Sequence, residues 1–147
     1  MMDDYYREVG RAVYQFAGLE RAVAWLGETI ERGFNQKVPD NHWSAKAIGL
    51  EFQKLVEQLP RDDLDRADML KLASEYRLLV SERDMLVHGN PHTAEDGTQR
   101  LGYNAHHGSR DWTIGAVREI GNKFESLSAM AGTILHRGRY QRWEAES

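Results

Sequence analysis

The amino-acid sequence predicts an all-α protein, an up-and-down bundle of four principal helices with a loop or short β-hairpin between the third and fourth. Two observations support this fold class. Apolar residues recur every three or four positions along four stretches, which is the period of one face of a helix. The connections between these stretches are short, and the sequence lacks the apolar β-branched runs that an α/β sheet would need.

Length and composition indicate one domain over residues 1–147. No repeat, low-complexity segment or linker divides the chain. It has no cysteine, which excludes a disulfide framework and cysteine-ligated metal sites. The acidic, aromatic N-terminus is unlike a signal peptide, and no apolar run approaches the roughly 18 residues of a membrane span. We therefore expect a cytoplasmic protein that does not associate with membranes.

The net charge of −4 argues against a general nucleic-acid coat, but it leaves room for an enzyme that contacts RNA at a few phosphates. One basic cluster lies near the C-terminus, with aromatic residues between its cations. Its members are His136, Arg137, Arg139, Tyr140, Arg142 and Trp143. This cluster either contacts phosphate and stacks a base, or is a solvated helix end whose cations lie near the negative pole of the helix dipole.

The first helix is expected over residues 4–34, with an inward stripe that alternates steps of four and three. The stripe consists of Val9, Val13, Phe16, Glu20, Val23, Gly27, Ile30 and Phe34. Residues 35–39 are expected to break this helix, and Asp40 or Asn41 to cap the second. The second helix ends before Pro60. Its apolar face consists of Ile48, Phe52, Leu55 and Leu59.

The third helix is expected to begin after a cap at Asp62 or Asp63 and to end at His88, because Gly89 and Pro91 stop it. Its stripe consists of Met69, Leu72, Ala73, Tyr76, Val80, Arg83 and Val87. Arg83 and Glu20 are thus charged residues on two otherwise apolar helix faces.

Between residues 90 and 111 helical periodicity is lost. The turn signal Glu95-Asp96-Gly97 separates residues 92–93 from residues 98–103, which predicts a short β-hairpin. The fourth helix is expected to begin near Asp111 or Thr113 and to break near Gly138. Its apolar face consists of Val117, Ile120, Phe124, Leu127, Ala131 and Ile134.

The end of the third helix resembles the motif of the HEPN superfamily (higher eukaryotes and prokaryotes nucleotide-binding domains). The residues that carry the resemblance are Arg83-Asp84-Met85-Leu86-Val87-His88-Gly89, with Phe16-Ala17-Gly18-Leu19-Glu20 in the long first helix. In catalytic members an arginine, a polar residue, three further residues and a histidine form a metal-independent endoribonuclease site, and a homodimer brings two copies into one cleft. The resemblance implies that Arg83, Asp84 and His88 are catalytic.

The resemblance also implies a toxin or defence role, in which an antitoxin or another regulatory protein restrains the domain. The alternative is a non-catalytic HEPN-like module that serves dimerisation or binds a partner or nucleic acid. Many members of the superfamily have lost activity and serve in this second way.

The residue types fit RNA cleavage without a metal or cofactor, because RNA carries its own nucleophile, the 2′-hydroxyl. His88 is the natural proton carrier, since imidazole titrates near neutral pH. Arg83 would hold the phosphate with its fork of donors. Asp84 lies one turn before His88 and is placed to orient its ring. The expected products carry a 2′,3′-cyclic phosphate and a 5′-hydroxyl.

The spacing of Arg83 and His88 raises a geometric difficulty. Five residues apart on an ideal helix, they point about 140° from each other. Either the last turn loosens at His88 and Gly89, or a second subunit completes the site, and we favour the second.

Structural interpretations compete with this hypothesis. Either Glu20 and Arg83 face each other as a buried ion pair, or Glu20 positions Arg83 while the guanidinium still reaches substrate. Tyr103 and Asn104 either line the cleft beside His88 as binding residues or are ordinary loop residues. Four histidines within twenty positions are a further, weaker candidate for a metal site, although they lack an established ligand spacing. These are His88, His92, His106 and His107.

Overall fold

The computed structural model describes residues 2–105 and 108–146. This part of the chain is mostly helical and contains a small antiparallel sheet, which confirms the predicted helical character. The helices are α1 (Met2–Ile30), α2 (Phe34–Asp40), α3 (Ala45–Glu57), α4 (Arg66–Val87), α5 (Ile114–Ile134) and α6 (Tyr140–Ala145), with a π-helical turn at Leu135–Arg139. The strands are β1 (Asn90–Thr93), β2 (Gln99–Ala105) and β3 (Gly108–Thr113), in the order β1-β2-β3. None of the described helices is long and apolar enough to cross a membrane.

The core lies where α1 packs against α5, with α3 and α4 completing it. The buried face of α1 is rotated from the predicted stripe, because Val13 is exposed while its neighbour Ala12 is buried. Small residues explain the rotation. A Cβ added to Gly121 of α5 would lie only 3.4 Å from Ala12, so these two positions allow close helix contact. The residues that α1 buries in the core are Tyr5, Ala12, Phe16, Leu19, Val23 and Leu26.

The chain reversal after α1 differs from the prediction. Residues 35–39, expected to break the helix, lie within α2, and the reversal occurs at Gly33, whose φ is 98°. The carboxylate of Glu28 accepts hydrogen bonds from the backbone N–H groups of Gly33 and Asn35 and so fixes the turn. Phe34 then packs where Gly27 leaves room, since a Cβ on Gly27 would come within 2.4 Å of the Phe34 ring.

The N-terminal caps of α3 and α4 also differ from the prediction. Ser44, not Asp40 or Asn41, caps α3, and its Oγ accepts a hydrogen bond from Ala47 N–H at 3.2 Å. At the start of α4, Asp63 Oδ1 accepts from the backbone N–H of Asp65 at 2.9 Å, while Asp65 is the residue that precedes the helix. The aspartates of this loop are used for contacts with the C-terminal arginines described below.

The predicted hairpin is confirmed as β1 and β2, and β3 is an additional strand. Strand β3 escaped prediction because its sequence, GSRDWT, contains one large apolar residue and therefore no alternating pattern. The sheet is seated on the helices through two buried residues. Leu101 packs so closely on the end of α4 that a Cβ on Gly89 would lie 2.5 Å from it. The carbonyl of Trp112 accepts a hydrogen bond from the Tyr5 hydroxyl, whose pKa burial raises to about 12.

The last helix begins and breaks where the sequence indicated. Thr113 caps α5, and its hydroxyl accepts a hydrogen bond from Ala116 N–H at 3.0 Å. Gly138 adopts a φ of 126° inside the π-helical turn, a conformation that favours glycine, and the chain changes direction there. This kink turns Arg137 and Arg139 towards the loop before α4.

Candidate functional site

Arg83 lies where α4 passes α1, with a quarter (25%) of its side chain exposed. Its guanidinium carbon stands 4.8 Å from the centre of the Phe16 ring, which is a cation–π contact. Nη2 lies 3.5 Å from Asp84 Oδ1, and Nε is buried without a hydrogen-bond partner in the part of the chain that the structure describes. An aromatic face and one long ion pair therefore hold the guanidinium, and part of its donor capacity is unused.

Glu20 stands one turn after Phe16 on α1, the helix that Arg83 packs against. Burial raises the pKa of Glu20, and the positive charges of Arg83 and Arg21 oppose this only in part. Among the described residues no oxygen of Glu20 comes within ion-pair distance of Arg83, whose nearest carboxylate is Asp84. The hypothesis of a sealed Glu20–Arg83 ion pair is therefore wrong in its direct form, although the two charges do influence each other.

Tyr76 lies on α4 beneath this group of charges. Burial raises the pKa of its hydroxyl, and the negative charge of Glu20 raises it further. The hydroxyl donates a hydrogen bond to the carbonyl of Ala45 at 3.0 Å, and the ring stacks on Phe16 with centres 5.9 Å apart. Tyr76 is thus a neutral core residue that fixes Phe16, the ring against which Arg83 rests.

His88 occupies the C-terminal end of α4 and is exposed to solvent. Its backbone N–H donates to the carbonyl of Asp84 at 3.1 Å, so the helix remains regular up to Val87. The carboxylate of Asp84 faces Arg83, and it makes no hydrogen bond to the His88 ring among the described contacts. In this conformation Asp84 contacts the cation and leaves the imidazole unrestrained.

Within one chain the described contacts do not join Arg83 to His88. The Arg83 guanidinium lies over Phe16, between α4 and α1, whereas the His88 side chain extends from the helix tip. The backbone departs from helical geometry only at His88 itself, with φ −95° and ψ 7°. Loosening of the helix is therefore confined to its last residue, and no described contact brings the two side chains together.

The sheet next to His88 holds a histidine–carboxylate pair that was not predicted from the sequence. His92 Nε2 lies 2.8 Å from Asp111 Oδ1, and Arg100 Nη1 lies 3.5 Å from Asp111 Oδ2. Gly102 makes this possible, because a Cβ there would come within 3.2 Å of the His92 ring. The hairpin pattern could have placed His92 near Arg100, but Asp111 belongs to the strand that the sequence did not predict.

Four of the other predicted residues lie partly or wholly outside the part of the chain that the structure describes. The backbones of Tyr103 and Asn104 belong to β2, but their side chains lie outside the described residues, as do His106 and His107 entirely. Over residues 2–105 and 108–146, no group of three or more histidine, aspartate or glutamate side chains is placed to hold a metal ion.

The C-terminal basic cluster forms ion pairs with the loop before α4. Arg137 lies 2.8 Å from both Asp65 Oδ1 and Asp68 Oδ2, and Arg139 lies 3.2 Å from Asp63 Oδ2 and 3.3 Å from Asp65 Oδ2. Arg142 is 62% exposed and lies 3.7 Å from Asp65 Oδ2, whereas Arg137 and Arg139 are held as structural cations. Carboxylates already occupy the positions that phosphate oxygens would take.

The protein is therefore a mostly helical domain in which an arginine and a histidine lie near the end of one helix, α4. Comparison with known proteins matches the chain to no family model, no curated protein and no solved structure. The functional inference consequently rests on the chemistry of the residues themselves.

Proposed function

We propose that this protein is a metal-independent endoribonuclease of the HEPN type, with an active site built from Arg83, Asp84 and His88. The observation that supports the proposal is the state of Arg83. Its guanidinium is partly exposed, and its terminal nitrogens make one long ion pair, with Asp84, so they remain available to a phosphate, while His88 at the end of the same helix is exposed. In this proposal α1, α3, α4 and α5 are the four principal helices of an up-and-down HEPN-like bundle.

The proposed reaction needs two proton transfers and one phosphate contact. A base removes the proton of the 2′-hydroxyl, the 2′-oxygen forms a bond to phosphorus, and the bond from phosphorus to the 5′-oxygen breaks. The leaving 5′-oxygen takes up a proton, which gives a 2′,3′-cyclic phosphate and a 5′-hydroxyl. His88 carries protons, and Arg83 stabilises the negative charge that develops on the phosphate.

A homodimer resolves the geometric difficulty in this proposal. The guanidinium and the imidazole of one chain do not share a described contact, so a composite cleft would combine Arg83 of one copy with His88 of another. Asp84 holds the guanidinium at 3.5 Å until a phosphate displaces it.

The test is cleavage of mixed RNA by the purified full chain in excess EDTA. Arg83→Ala and His88→Ala should each lower the rate at least about 100-fold, the usual cost of losing a general acid–base group or an oxyanion donor. Arg77→Ala and His136→Ala are matched controls, since both side chains are exposed elsewhere, and they should retain activity. Cleavage that persists unchanged in folded Arg83→Ala and His88→Ala proteins would refute the proposal.

A mixing experiment tests the composite cleft. Arg83→Ala chains keep His88, and His88→Ala chains keep Arg83, so a mixed dimer would contain one complete cleft. Activity should return to a fraction of the wild-type rate when the two inactive proteins are combined. No recovery after confirmed subunit exchange would show that each site is built within one chain.

The alternative function is a non-catalytic HEPN-like module for dimerisation or for binding a partner or nucleic acid. It is favoured by the unrestrained His88 ring, because the described contacts include no group that orients the imidazole. Under this alternative, RNA binds without EDTA-resistant cleavage. A toxin or defence role would appear as growth inhibition on expression that His88→Ala relieves, and an antitoxin would be a further partner.

A further inference from the structure

An open groove of about 860 Å³ lies between α4 and α5. Its most exposed apolar residue is Leu78, with 69% of the residue accessible. An apolar surface of this kind, concave and flanked by polar residues, is typical of a binding site. The apolar residues that line it are Leu78, Leu79, Ile120, Leu127 and Met130.

The length of the groove matches about three turns of a helix. Along α5 its lining extends from Glu119 to Met130, which at 1.5 Å per residue is about 16 Å, or about three helical turns. Two packed helices with a channel between them are the usual receptor for the apolar face of a third helix. The expected occupant therefore presents apolar side chains at positions i, i+3 or i+4, and i+7.

The charges around the groove determine which helix fits. Its lining contains the carboxylates of Glu75 and Glu119, neither of which forms an ion pair among the described residues, against one ammonium group, that of Lys123, while a third carboxylate, that of Glu82, has a buried Oε2. Two copies of this chain that met groove to groove would bring these like charges together, since a two-fold contact pairs the same surface with itself. A helix with lysine or arginine on its flanks would complement them.

We propose that the groove between α4 and α5 binds an amphipathic helix of another protein, with an apolar stripe on one face and basic residues on both flanks. The proposal is independent of RNA cleavage, because the groove lining includes none of the residues Arg83, Asp84 and His88. Loss of nuclease activity and loss of helix binding are thus separable results.

The probes are two labelled helical peptides of about 16 residues with identical leucine stripes. One carries lysine and arginine on its flanks, and the other carries glutamate at the same positions. Fluorescence anisotropy with the full chain should show at least about tenfold tighter binding of the basic peptide. The preference should shrink as salt is raised from about 0.05 to 0.5 M, because screening weakens contacts between exposed charges.

Variants locate the binding. Leu78→Asn should weaken the basic peptide at least about tenfold, since it removes the exposed anchor without changing charge, and Glu119→Lys should reduce or reverse the preference for basic flanks. Leu64→Asn is the matched apolar control, because Leu64 is 93% exposed and lies outside the groove. Glu144→Lys on α6 is the matched charge control.

Three outcomes would overturn the proposal. The first is that neither peptide binds at concentrations up to about 1 mM, where even weak sites fill. The second is that the two peptides bind equally, which would remove the role of the acidic residues. The third is a wild-type dimer in light scattering that Leu78→Asn converts to a monomer, and the occupant would then be a second copy of this chain.

Discussion

Arg139 and Arg83 differ in how completely their guanidinium donors are satisfied. Arg139 is 7% exposed and contacts the carboxylates of Asp63 and Asp65 as well as the hydroxyl of Thr29. Arg83 is more exposed, meets one carboxylate at 3.5 Å, and has an Nε without a partner in the described part of the chain. Both arginines lie against the helical core, but Arg83 keeps terminal donors for a ligand, whereas those of Arg139 face carboxylates.

The difference shows that a basic run in the sequence is a poor guide to a phosphate site. The C-terminal run that looked suited to RNA is held by the loop before α4, where Asp65 meets Arg137, Arg139 and Arg142. A single arginine on an apolar face, with an aromatic ring beneath it, is the less conspicuous feature in the sequence and the better candidate. Satisfaction of donors therefore distinguishes a structural cation from an available one.

The largest expected effect follows from removing Asp65, the carboxylate that contacts Arg137, Arg139 and Arg142. Asp65→Ala removes a carboxylate that is 7% exposed and leaves three arginines short of a partner, so it should lower the free energy of unfolding by about 3 kcal/mol. Asp68→Ala is the matched control, because Asp68 is 50% exposed and contacts only Arg137 among the described ion pairs, and it should cost less than about 1 kcal/mol. Urea unfolding measures the loss of free energy for both variants. Equal losses would contradict the larger stabilising role of the buried Asp65.

The next effect is the response of the same cluster to acid. Burial alone would raise the pKa of Asp63, but the backbone N–H of Asp65 and the guanidinium of Arg139 overcome it and hold the pKa below its ordinary 3.8. A depressed pKa stabilises the fold at pH values above the unfolded-state pKa, and this contribution is lost as the pH falls through the folded-state pKa.

Asp63→Asn should therefore cost about 1.5 kcal/mol at pH 7 and progressively less below about pH 4. Urea unfolding between pH 7 and pH 3 measures the convergence with the wild type. Asp62→Asn, at the adjacent exposed position, should leave the curve unchanged. A cost for Asp63→Asn that is constant with pH would show that the carboxylate charge does not matter there.

Sequence periodicity, with the positions of glycine and proline, was sufficient to predict the helical class, the end of α4 near His88, the start of α5 near Asp111 or Thr113 and the break near Gly138. It was not sufficient for the orientation of α1. Apolar residues occupy more than one adjacent stripe of α1, so their spacing identifies a helix but not which stripe is buried. The close contact of Ala12 with Gly121 determines which face of α1 turns towards α5.

The candidate site divides in the same way. Arg83 and Glu20 were identifiable because a charge on an apolar stripe stands out in one chain segment. The ion pairs of Asp65 were not predictable, because its arginine partners lie about seventy positions away in the sequence. Their positions depend on the kink at Gly138. The His92–Asp111 pair likewise depends on the pairing of β3 with β2, a contact that no local pattern encodes.

A smaller effect is expected when the unsatisfied arginine is removed. Arg83→Met should change the free energy of unfolding by less than about 1 kcal/mol, because a single long ion pair with a half-exposed carboxylate contributes little, and methionine still packs on Phe16. Urea unfolding beside Asp65→Ala gives the direct comparison. A loss of about 3 kcal/mol would make Arg83 a structural residue like Arg139 and weaken its assignment to a phosphate.

The smallest effect, and the one of opposite sign, is expected at Glu20. Burial raises its pKa above the ordinary 4.5, so the ionised carboxylate destabilises the folded state at pH 7, and this cost disappears as the pH falls below the unfolded-state pKa. Glu20→Gln should therefore stabilise the protein by a few tenths of a kcal/mol at pH 7 and have no effect near pH 4.

The pH dependence of unfolding for Glu20→Gln, measured in the wild-type and Arg83→Met backgrounds, tests how the two charges are related. Arg83 partly offsets the cost of burying Glu20, so the gain from Glu20→Gln should be larger once Arg83 is gone. If Glu20→Gln instead destabilises the wild type by more than about 1 kcal/mol at pH 7, Glu20 holds Arg83 as an ion-pair partner. The guanidinium of Arg83 would then be as fully engaged as that of Arg139, and the contrast between these two arginines would not hold.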